Sequence, residues 1–457
     1  MNEQKRLGEV KVSKLLLEFS IPAMIGMMVN TLYNIIDRVF IGHIPGIGNM
    51  AIAGVGITMP IMTIIMAFGM LIGIGTATRI SINLGMHNKD EAEKHLGNAF
   101  TLIFVISAIL TAVGLIFMDP ILNMFGASEN IIVYAEQYIE VIFAGTIFNI
   151  IGFGLNHSIR SDGSPKVAML SMLIGAITNI VLDPIFIFVL GFGVRGGAIA
   201  TVISQLVSGI WVIYYFIKGK SVLKIKKKYL KLDAKIVLSI FAIGVSPFSM
   251  QIAQCAVQVI SNNSLQLYGG DSAVAAMTVI NSLSLIFLMP IYGINQGLQP
   301  IVGYNYGAKK YDRVKEAVKY SIAAATLIVT LGFLVIEMFP KQLIYLFNND
   351  SELLRIGIHG MRIYLCTFPF IGCQIIITNY FQSVGKVKIS MFLSLLRQVI
   401  ILIPCLLFIP RVLGLTGVWT AGPVSDMLAL IITLILFVKD SKELWTSNDK
   451  VDGMLAN

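Results

Sequence analysis

Twelve stretches of this sequence are almost entirely apolar, and each is about 20 or more residues long. That is the length an α-helix needs to cross the hydrocarbon core of a bilayer. Charged residues make up only 13% of the chain, whereas soluble domains contain about 25%. These features exclude a water-soluble fold, and the absence of strand-like alternation excludes a β-barrel. The sequence therefore predicts an all-α integral membrane protein of twelve transmembrane helices. The predicted spans are 15–42, 51–80, 96–118, 131–158, 166–190, 197–217, 236–268, 273–303, 316–340, 356–384, 389–410 and 416–438.

Lysine and arginine are distributed unevenly between the loops that join these spans. Most of the 34 basic residues lie in the termini and in every second loop. The opposite loops contain only Arg195, Lys341, Arg355 and Arg411. Loops rich in positive charge stay on the cytoplasmic side of a membrane. We therefore expect a multi-pass protein of the inner (plasma) membrane with both termini in the cytoplasm.

The longest predicted cytoplasmic loop, residues 218–235, contains eight lysines. A basic run also occurs in nucleic-acid-binding proteins, but beside membrane helices it sets orientation and rests on anionic lipid. We therefore expect membrane lipids, and no nucleic acid, as partners of this loop. It also marks a natural boundary between two halves of the chain.

The two halves of the sequence repeat each other. Residues 52–100 align with residues 274–322 at a constant offset of 222, so that Gly85 corresponds to Gly307. Six helices per repeat give both halves the same orientation and relate them by an axis along the membrane normal. Two such pseudo-symmetric six-helix bundles, opening alternately to the two sides, favour a transporter. The predicted divisions are an N-terminal lobe, 1–217, a linker loop, 218–235, and a C-terminal lobe, 236–457.

Polar side chains inside the spans of the first half fall on shared helix faces. In the first span, Asn30, Tyr33, Asn34 and Asp37 are spaced at i, i+3, i+4 and i+7, which places them on one face. A charge in hydrocarbon is costly, so these residues are functional candidates. Oxygen ligands of this kind suit a proton or a small hard cation. The other candidates of this set are Tyr138 and Asn156 in the fourth span, Asn179 and Asp183 in the fifth and Thr201 at the start of the sixth.

These residues also have purely structural interpretations. Asp37 is adjacent to Arg38 and would form an ion pair with it at the outer interface. Asp183 would be a helix-end carboxylate close to water. The amides and the hydroxyl of the set would make ordinary hydrogen bonds between helices. The sequence leaves these alternatives open.

The second half retains polar residues in its first span but loses the charge. Asn262 takes the position that Asp37 has in the first half. Because amides do not titrate, we expect no proton-coupling site at that position. Asp426 in the twelfth span remains as a second candidate acid. We expect a substrate cavity to be lined by Asn34 of the first span and by the glutamines of the polar stripe, which are Gln251, Gln254 and Gln258.

Motifs of enzymatic chemistry are absent from the sequence. It contains no nucleotide-binding P-loop, no HExxH zinc motif and no GxSxG nucleophile motif. The four cysteines are scattered and form no CxxC pair, which argues against disulfides and structural zinc. We expect no enzyme activity and no cofactor other than a coupling ion.

Together these motifs resemble the multidrug and toxic compound extrusion (MATE) family, and within it the DinF/MepA-like branch. The resemblance covers the whole chain, including both repeats and the basic linker. The segments that carry it are NTLYNIIDRVFIGH at 30–43, ISINLGMHNKDEAEKHLGNAF at 80–100, IRSDGSPKVAM at 159–169, TNIVLDPIFIF at 178–188 and GGAIATVISQ at 196–205.

What the resemblance implies is efflux of amphiphilic, often cationic drugs by a rocker-switch bundle, driven by H⁺ or Na⁺. In this branch the acid matched by Asp37 takes the coupling ion, and Pro22 matches a bend in the first span. The other polar positions of the family's ion site are matched by Asn179, Asp183 and Thr201, and Na⁺, if it is the ion, would be held by Asp37, Asn179 and Asp183. The positions lining the same cavity are matched by Tyr33, Tyr138 and Asn156.

A flippase for lipid-linked saccharides, from the same superfamily, is the alternative function. Such a protein is expected to have a more basic central cavity, and Arg38, Arg362 and Arg397 within the spans leave it open. We expect the protein to act as a monomer. The sequence does not distinguish between H⁺ and Na⁺ as the coupling ion.

Overall fold

The computed structural model describes residues 3–125, 130–345 and 351–455, and these residues form helices and no β-strand. Short π-helical turns, Ile185–Val189 and Leu396–Leu402, follow α7 and α14, and a 3₁₀ turn, Lys227–Tyr229, lies in the linker. The α-helices, numbered in chain order, are α1 Glu3–Glu9, α2 Val12–Gly42, α3 Gly48–Gly85, α4 Lys89–Ile116, α5 Met118–Met124, α6 Ile132–Ser161, α7 Pro165–Pro184, α8 Gly193–Ile217, α9 Ala234–Gly307, α10 Tyr311–Met338, α11 Pro340–Tyr345, α12 Ser351–Tyr364, α13 Phe368–Ser383, α14 Val387–Leu395 and α15 Ile403–Leu455.

The helices of the described residues account for the twelve predicted spans. Ten segments are long and apolar enough to cross a bilayer, and α12 with α13 forms an eleventh span bent by 49°. One of the ten, Val387–Ser441, has 55 residues, about 80 Å at the usual helical rise and therefore enough to cross twice. Gly414, with φ of 57°, interrupts it, as Gly270, with φ of 65°, divides α9. Only glycine adopts these angles freely. The fold class predicted from hydropathy is thus confirmed, and most helix ends lie within five residues of the expected ones. The exceptions are the start of α4 at Lys89, predicted at 96, and the end of α15 at Leu455, predicted at 438.

The first half of the bundle is built from α2 to α8. Helix α3 packs along α6, α6 packs along α8, and α2 packs against α7. Helices α2 and α3 also contact α9, which carries the first two spans of the second half. We call the side of the bundle that carries residues 86–88, 162–164 and 218–233 the linker face, and the other side the opposite face.

Glycines line the seam between the two halves. A Cβ atom built at Gly244 would lie 1.8 Å from the carbonyl oxygen of Leu71, and one built at Gly85 would lie 2.0 Å from that of Tyr304. No side chain fits at these distances, so the helices touch backbone to backbone. The contacts fall in the linker-side parts of α3 and α9, and the linker face is therefore closed. Other glycines that approach the opposite half are Gly75, Gly297, Gly303 and Gly307.

The N-terminal arm, α1 and the residues up to Lys11, packs on the second half. Leu7 is 1% exposed, and its carbonyl oxygen accepts a hydrogen bond of 3.0 Å from Nδ2 of Asn305. Nζ of Lys310 donates to the carbonyl oxygen of Gly8 at 3.0 Å. The chain therefore starts on one half and enters the other through α2.

The basic linker, conversely, packs on the first half. Lys226 forms an ion pair with the buried carboxylate of Glu93, and Nζ of Lys228 lies 3.6 Å from Oδ1 of Asp90. Part of the loop's positive charge is therefore bound by acids of α4. Contact of its other lysines with anionic lipid stays a prediction.

Asp162, between α6 and α7, anchors the same linker. Its carboxylate accepts hydrogen bonds from the hydroxyls of Tyr215 and Ser221, both at 2.7 Å, and from the backbone N–H groups of Val222 and Leu223. Burial raises the pKa of this carboxyl to about 6, although the hydrogen bonds act in the opposite direction. The linker is thus fixed to the first half by a buried acid.

Candidate functional site

Four polar residues predicted from the sequence meet where α2, α7 and α8 pack together. Nδ2 of Asn179 donates to Oδ1 of Asp183 at 3.1 Å and lies 3.4 Å from Oγ1 of Thr201. Asp37 is 5% exposed, and Asp183 is fully buried. The two carboxylates lie close enough to interact directly. We call Asp37, Asn179, Asp183 and Thr201 the acidic cluster.

Three oxygen atoms of the acidic cluster have no hydrogen-bond donor among the described residues. They are Oδ1 of Asp37, Oδ1 of Asn179 and Oδ2 of Asp183. Burying an acceptor without a partner destabilises a structure, and a buried carboxylate does so more strongly. A proton or a cation placed between these oxygens would satisfy them. The donor set is therefore suited to H⁺ or to an ion such as Na⁺ that prefers oxygen ligands.

The backbone around the acidic cluster lacks one N–H group, at Pro184, and one side chain, at Gly197. Pro184 ends α7 directly after Asp183, and a π-helical turn follows. Because proline has no N–H group, the carbonyl of Ile180 lacks its usual helical partner. On α8, a Cβ atom at Gly197 would lie 3.4 Å from Oδ1 of Asp37, so glycine allows this helix to approach the carboxylate.

The structure bears on the purely structural interpretations of the two acids. Arg38 is exposed, and its Nη2 contacts Sδ of Met59 at 3.1 Å. No ion pair joins Arg38 to Asp37 within the described residues. Asp183 lies at the end of α7, as its structural interpretation expects, but its side chain has no exposed surface. Both acids are therefore buried, and neither forms an ion pair among the described residues.

A cavity of about 100 Å³ lies between α2, α6, α7 and α8, and Gln296 of α9 closes part of its wall. Tyr33 and Asn156, which the sequence predicts to line a substrate cavity, both line it. Nδ2 of Asn156 also donates to Oγ of Ser171 at 2.6 Å, which is the alternative of a hydrogen bond between helices. Asn34 does not line this cavity, and its Nδ2 donates to the carbonyl of Asn30, one turn earlier on α2, at 2.7 Å.

Tyr138 lies beside the acidic cluster rather than in this cavity. It is 2% exposed and lies within interaction distance of Thr201 and Asp37. Pro22 is buried inside the continuous helix α2. Tyr138 therefore belongs to the surroundings of the acidic cluster, whereas Pro22 lies fifteen residues before Asp37 on α2.

The glutamine stripe of α9 lies apart from the first-half cavity. Gln251 is buried, whereas Gln254 and Gln258 are exposed, and none of the three lines the cavity. Nε2 of Gln258 donates to Oδ1 of Asn262 at 3.2 Å. A substrate role for the stripe stays a prediction.

Each buried acid of the second half, Asp426 and Asp440, has a basic partner among the described residues, Arg397 and Lys386 respectively. Nε of Arg397 lies 2.5 Å from Oδ1 of Asp426, and Oγ1 of Thr367 donates to Oδ2 at 3.2 Å. Arg362 likewise pairs with Glu337 at 3.2 Å. The carboxylate of Asp426 is therefore already paired with a positive charge, the guanidinium of Arg397.

Sequence reasoning missed two residues of the first-half cavity, His157 and Arg160. Both line it and are at most 5% exposed. They lie at the linker-face end of α6, where a basic residue is normally read as an orientation signal. Arg160 differs from an ordinary boundary residue because no acid of the described residues lies within ion-pair distance of it.

Residues 22–185 and 248–407 match the family model described as MatE. The chain is 28% identical over 432 residues, 94% of each chain, to the multidrug export protein MepA of Staphylococcus haemolyticus. It is 39% identical to the solved structure of the MATE multidrug transporter DinF-BH in complex with R6G, with a TM-score of 0.87 over 93% of this chain and 95% of that one. A solved outward-facing conformation of a multidrug resistance MATE family transporter is 26% identical, with a TM-score of 0.89 over 96% and 98% of the two chains.

Proposed function

This chain belongs to the MatE family of secondary transporters, and we propose that it exports amphiphilic, cationic drugs across the plasma membrane in exchange for H⁺ or Na⁺. The observation that carries the coupling is the set of three unpartnered oxygens in the acidic cluster. Two carboxylates at one buried site strongly favour taking up one positive charge. The same carboxylates attract a cationic drug, so drug and ion compete for one site.

The closed linker face supports the direction of export. With the predicted orientation, the glycine seam shuts the cytoplasmic side and leaves the cluster's end of the bundle towards the outside. Uptake of H⁺ or Na⁺ from outside then neutralises Asp37 and Asp183 and releases the drug, with α2 rearranging at Pro22. We further propose that residues 1–217 and 236–457 are the two lobes that rock about this seam.

The membrane potential limits the drug gradient that one coupled ion can maintain. One charge moving through 100 mV contributes about 2.3 kcal/mol. This corresponds to roughly a fiftyfold concentration ratio for one coupled ion. The drug gradient expected from a single site is therefore useful but limited.

The flippase alternative requires a basic central cavity, and three arginines within the spans do not provide it. Arg362 and Arg397 are paired with acids, and Arg38 is exposed against Met59. The first-half cavity holds one arginine, and two carboxylates lie on the helices that form it. This balance favours cationic or zwitterionic cargo over a lipid diphosphate.

The test is drug uptake into inverted vesicles under a pH gradient and, separately, a Na⁺ gradient. Asp37→Asn should abolish uptake driven by the effective gradient while drug binding in detergent persists. Asp119→Asn, which changes an exposed acid outside the spans, serves as the matched control. If neither gradient drives uptake by the wild type, the proposed coupling is wrong. Normal uptake by Asp37→Asn would contradict only the assignment of the coupling site to Asp37.

A further inference from the structure

Arg160 is a buried guanidinium without an acidic partner. The residue is 2% exposed, near the linker-face end of α6. Its Nη2 contacts Sδ of Met172 at 3.5 Å, and its Nε has no hydrogen-bond partner among the described residues. No carboxylate of those residues lies within ion-pair distance of it. This contrasts with Arg397, which is paired inside the same bundle.

The guanidinium lines the first-half cavity, and His157 lies one turn before it on the same face of α6. Nδ1 of His157 also has no partner. A buried charge of this kind is normally paired, because leaving it alone costs several kcal/mol in proteins. The planar fork of arginine matches a carboxylate through two parallel hydrogen bonds. The missing partner is therefore an anion that enters the cavity.

The remaining cavity wall indicates what carries the anion. Phe148, Phe153 and Met172 supply apolar surface, and Asn149, Gln205 and Gln296, the last from α9, supply amides. A cavity of about 100 Å³ is small compared with typical drug sites of about 300 Å³ or more. It suits the carboxyl-bearing ring of a larger compound rather than the whole compound.

The acidic cluster lies towards the other end of the same helices. Asp183 follows Met172, which Arg160 contacts, by eleven residues on α7, about 17 Å along the helix axis. On α2, Asn30 and Tyr33 line the cavity and Asp37 lies one turn further. The path between these helices therefore has a positive end at Arg160 and a negative end at the acidic cluster.

We propose that Arg160, with His157, binds the carboxylate of amphiphilic substrates that also carry a positive charge, so that this chain recognises zwitterions. The inference rests on the proposed function, since it specifies the substrates of the same cavity. A compound with the carboxylate converted to an ester loses this contact and keeps the others. The difference between such a pair of compounds isolates the contribution of Arg160.

The experiment compares rhodamine B, which has a free carboxylate, with its ethyl ester, by fluorescence polarisation on the detergent-solubilised full chain without any gradient. Arg160→Gln should weaken binding of the acid by about tenfold or more, as for loss of a charged hydrogen-bonded pair, and binding of the ester by less than about twofold. Ser208→Ala changes the same cavity without changing charge and should affect both dyes by the same factor. Equal weakening of both dyes by Arg160→Gln would overturn the proposal.

A second measurement does not depend on the folding of Arg160→Gln. With the wild type, benzoate should displace rhodamine B at a concentration at least about tenfold lower than benzamide, because only benzoate offers a carboxylate to Arg160. Equal potency would also overturn the proposal. Dyes that bind as expected but are not exported would count against the proposed function and leave the carboxylate site standing. If the wild type binds neither dye, both ideas fail.

Discussion

The two halves of the chain differ in how they bury the acids within their predicted spans. In the first half, Asp37 and Asp183 lie together, and neither forms an ion pair among the residues that the structure describes. In the second half, Asp426 is bound to Arg397 at 2.5 Å. A carboxylate that is already paired has little tendency to take up another cation, whereas two unpaired ones have a strong tendency. An internal repeat in sequence has therefore produced one pair of buried acids without an ion pair, at which we propose ion exchange, and one fixed ion pair.

The difference also shows how the halves keep their folds. A buried ion pair contributes little net stability, but removing one partner leaves a costly charge. The first half avoids that cost only when its acids hold a proton or a cation. We therefore expect ion binding to stabilise the first half and to leave the stability of the second half unchanged.

The largest expected effect is loss of coupling on neutralising the first-half acids. Asp37→Asn and Asp183→Asn should each reduce gradient-driven efflux to background, because the amide keeps the shape and removes the exchangeable charge. If both acids serve one ion, the double variant should be no worse than either single variant. Efflux from loaded vesicles, with drug binding as the control, measures this. Efflux above background in either single variant, lost only in the double variant, would indicate two independent sites.

Next in size is the effect of wedging the halves apart. Gly244→Val should keep the linker face open, because even a Cβ atom would lie 1.8 Å from the carbonyl of Leu71. We expect drug efflux to fall at least about tenfold, as it would if the closed state were lost. Maleimide labelling of Thr78→Cys, at the seam, in a cysteine-free background reports the opening.

Gly56→Val is the matched control, because nothing lies within 4 Å of a Cβ atom there. It should leave labelling and efflux unchanged. Labelling of Thr78→Cys that Gly244→Val does not increase would contradict a seam closed by backbone contact.

A smaller effect is expected in the second half, on stability rather than transport. Arg397→Gln should lower the free energy of unfolding by about 3 kcal/mol, because it leaves Asp426 buried without a partner. The double change with Asp426→Asn should recover most of this loss. Thermal unfolding in detergent measures both. If Arg397→Gln is as stable as the wild type, Asp426 tolerates burial without an ion pair, as Asp37 and Asp183 do.

The smallest effect concerns the linker anchor. Burial raises the pKa of Asp162 from 3.8 to about 6, so its stabilising contribution is complete below pH 4 and is lost as the pH rises through 6. Hydrogen-exchange protection of the Val222 amide, corrected for intrinsic rate, should fall by about tenfold from pH 4 to pH 7. Asp162→Asn should make this protection independent of pH over that range. A pH dependence retained by the variant would assign it to another group.

The sequence predicts most of the fold and part of the site. Hydropathy places the spans because a bilayer core imposes both the length and the composition of a helix. Helical spacing and family resemblance together identify Asp37, Asn179, Asp183 and Thr201, since residues three or four apart share a face. The structure brings these four together, while their roles stay proposals.

What the sequence could not predict depends on how the helices are rotated and how deeply they are placed. Arg397 and Asp426 lie on separate spans, and only packing shows that they pair. For the same reason Arg160 looks like an ordinary basic residue at a membrane boundary until the surrounding helices are in place. Asn34 shares the face of Asp37, yet its amide bonds back to α2, a local choice that spacing does not reveal.

The glycine seam has a consequence for leak. In lipid, helices are held together mainly by close packing rather than by the hydrophobic effect. A gap of about 0.5–1 Å already forfeits a quarter to a half of the dispersion attraction, so backbone contacts such as Gly85 on Tyr304 are lost almost together when the halves part. The contacts of the seam therefore form and break together. We therefore expect half-open states, through which ions would pass uncoupled from drug, to be sparsely populated.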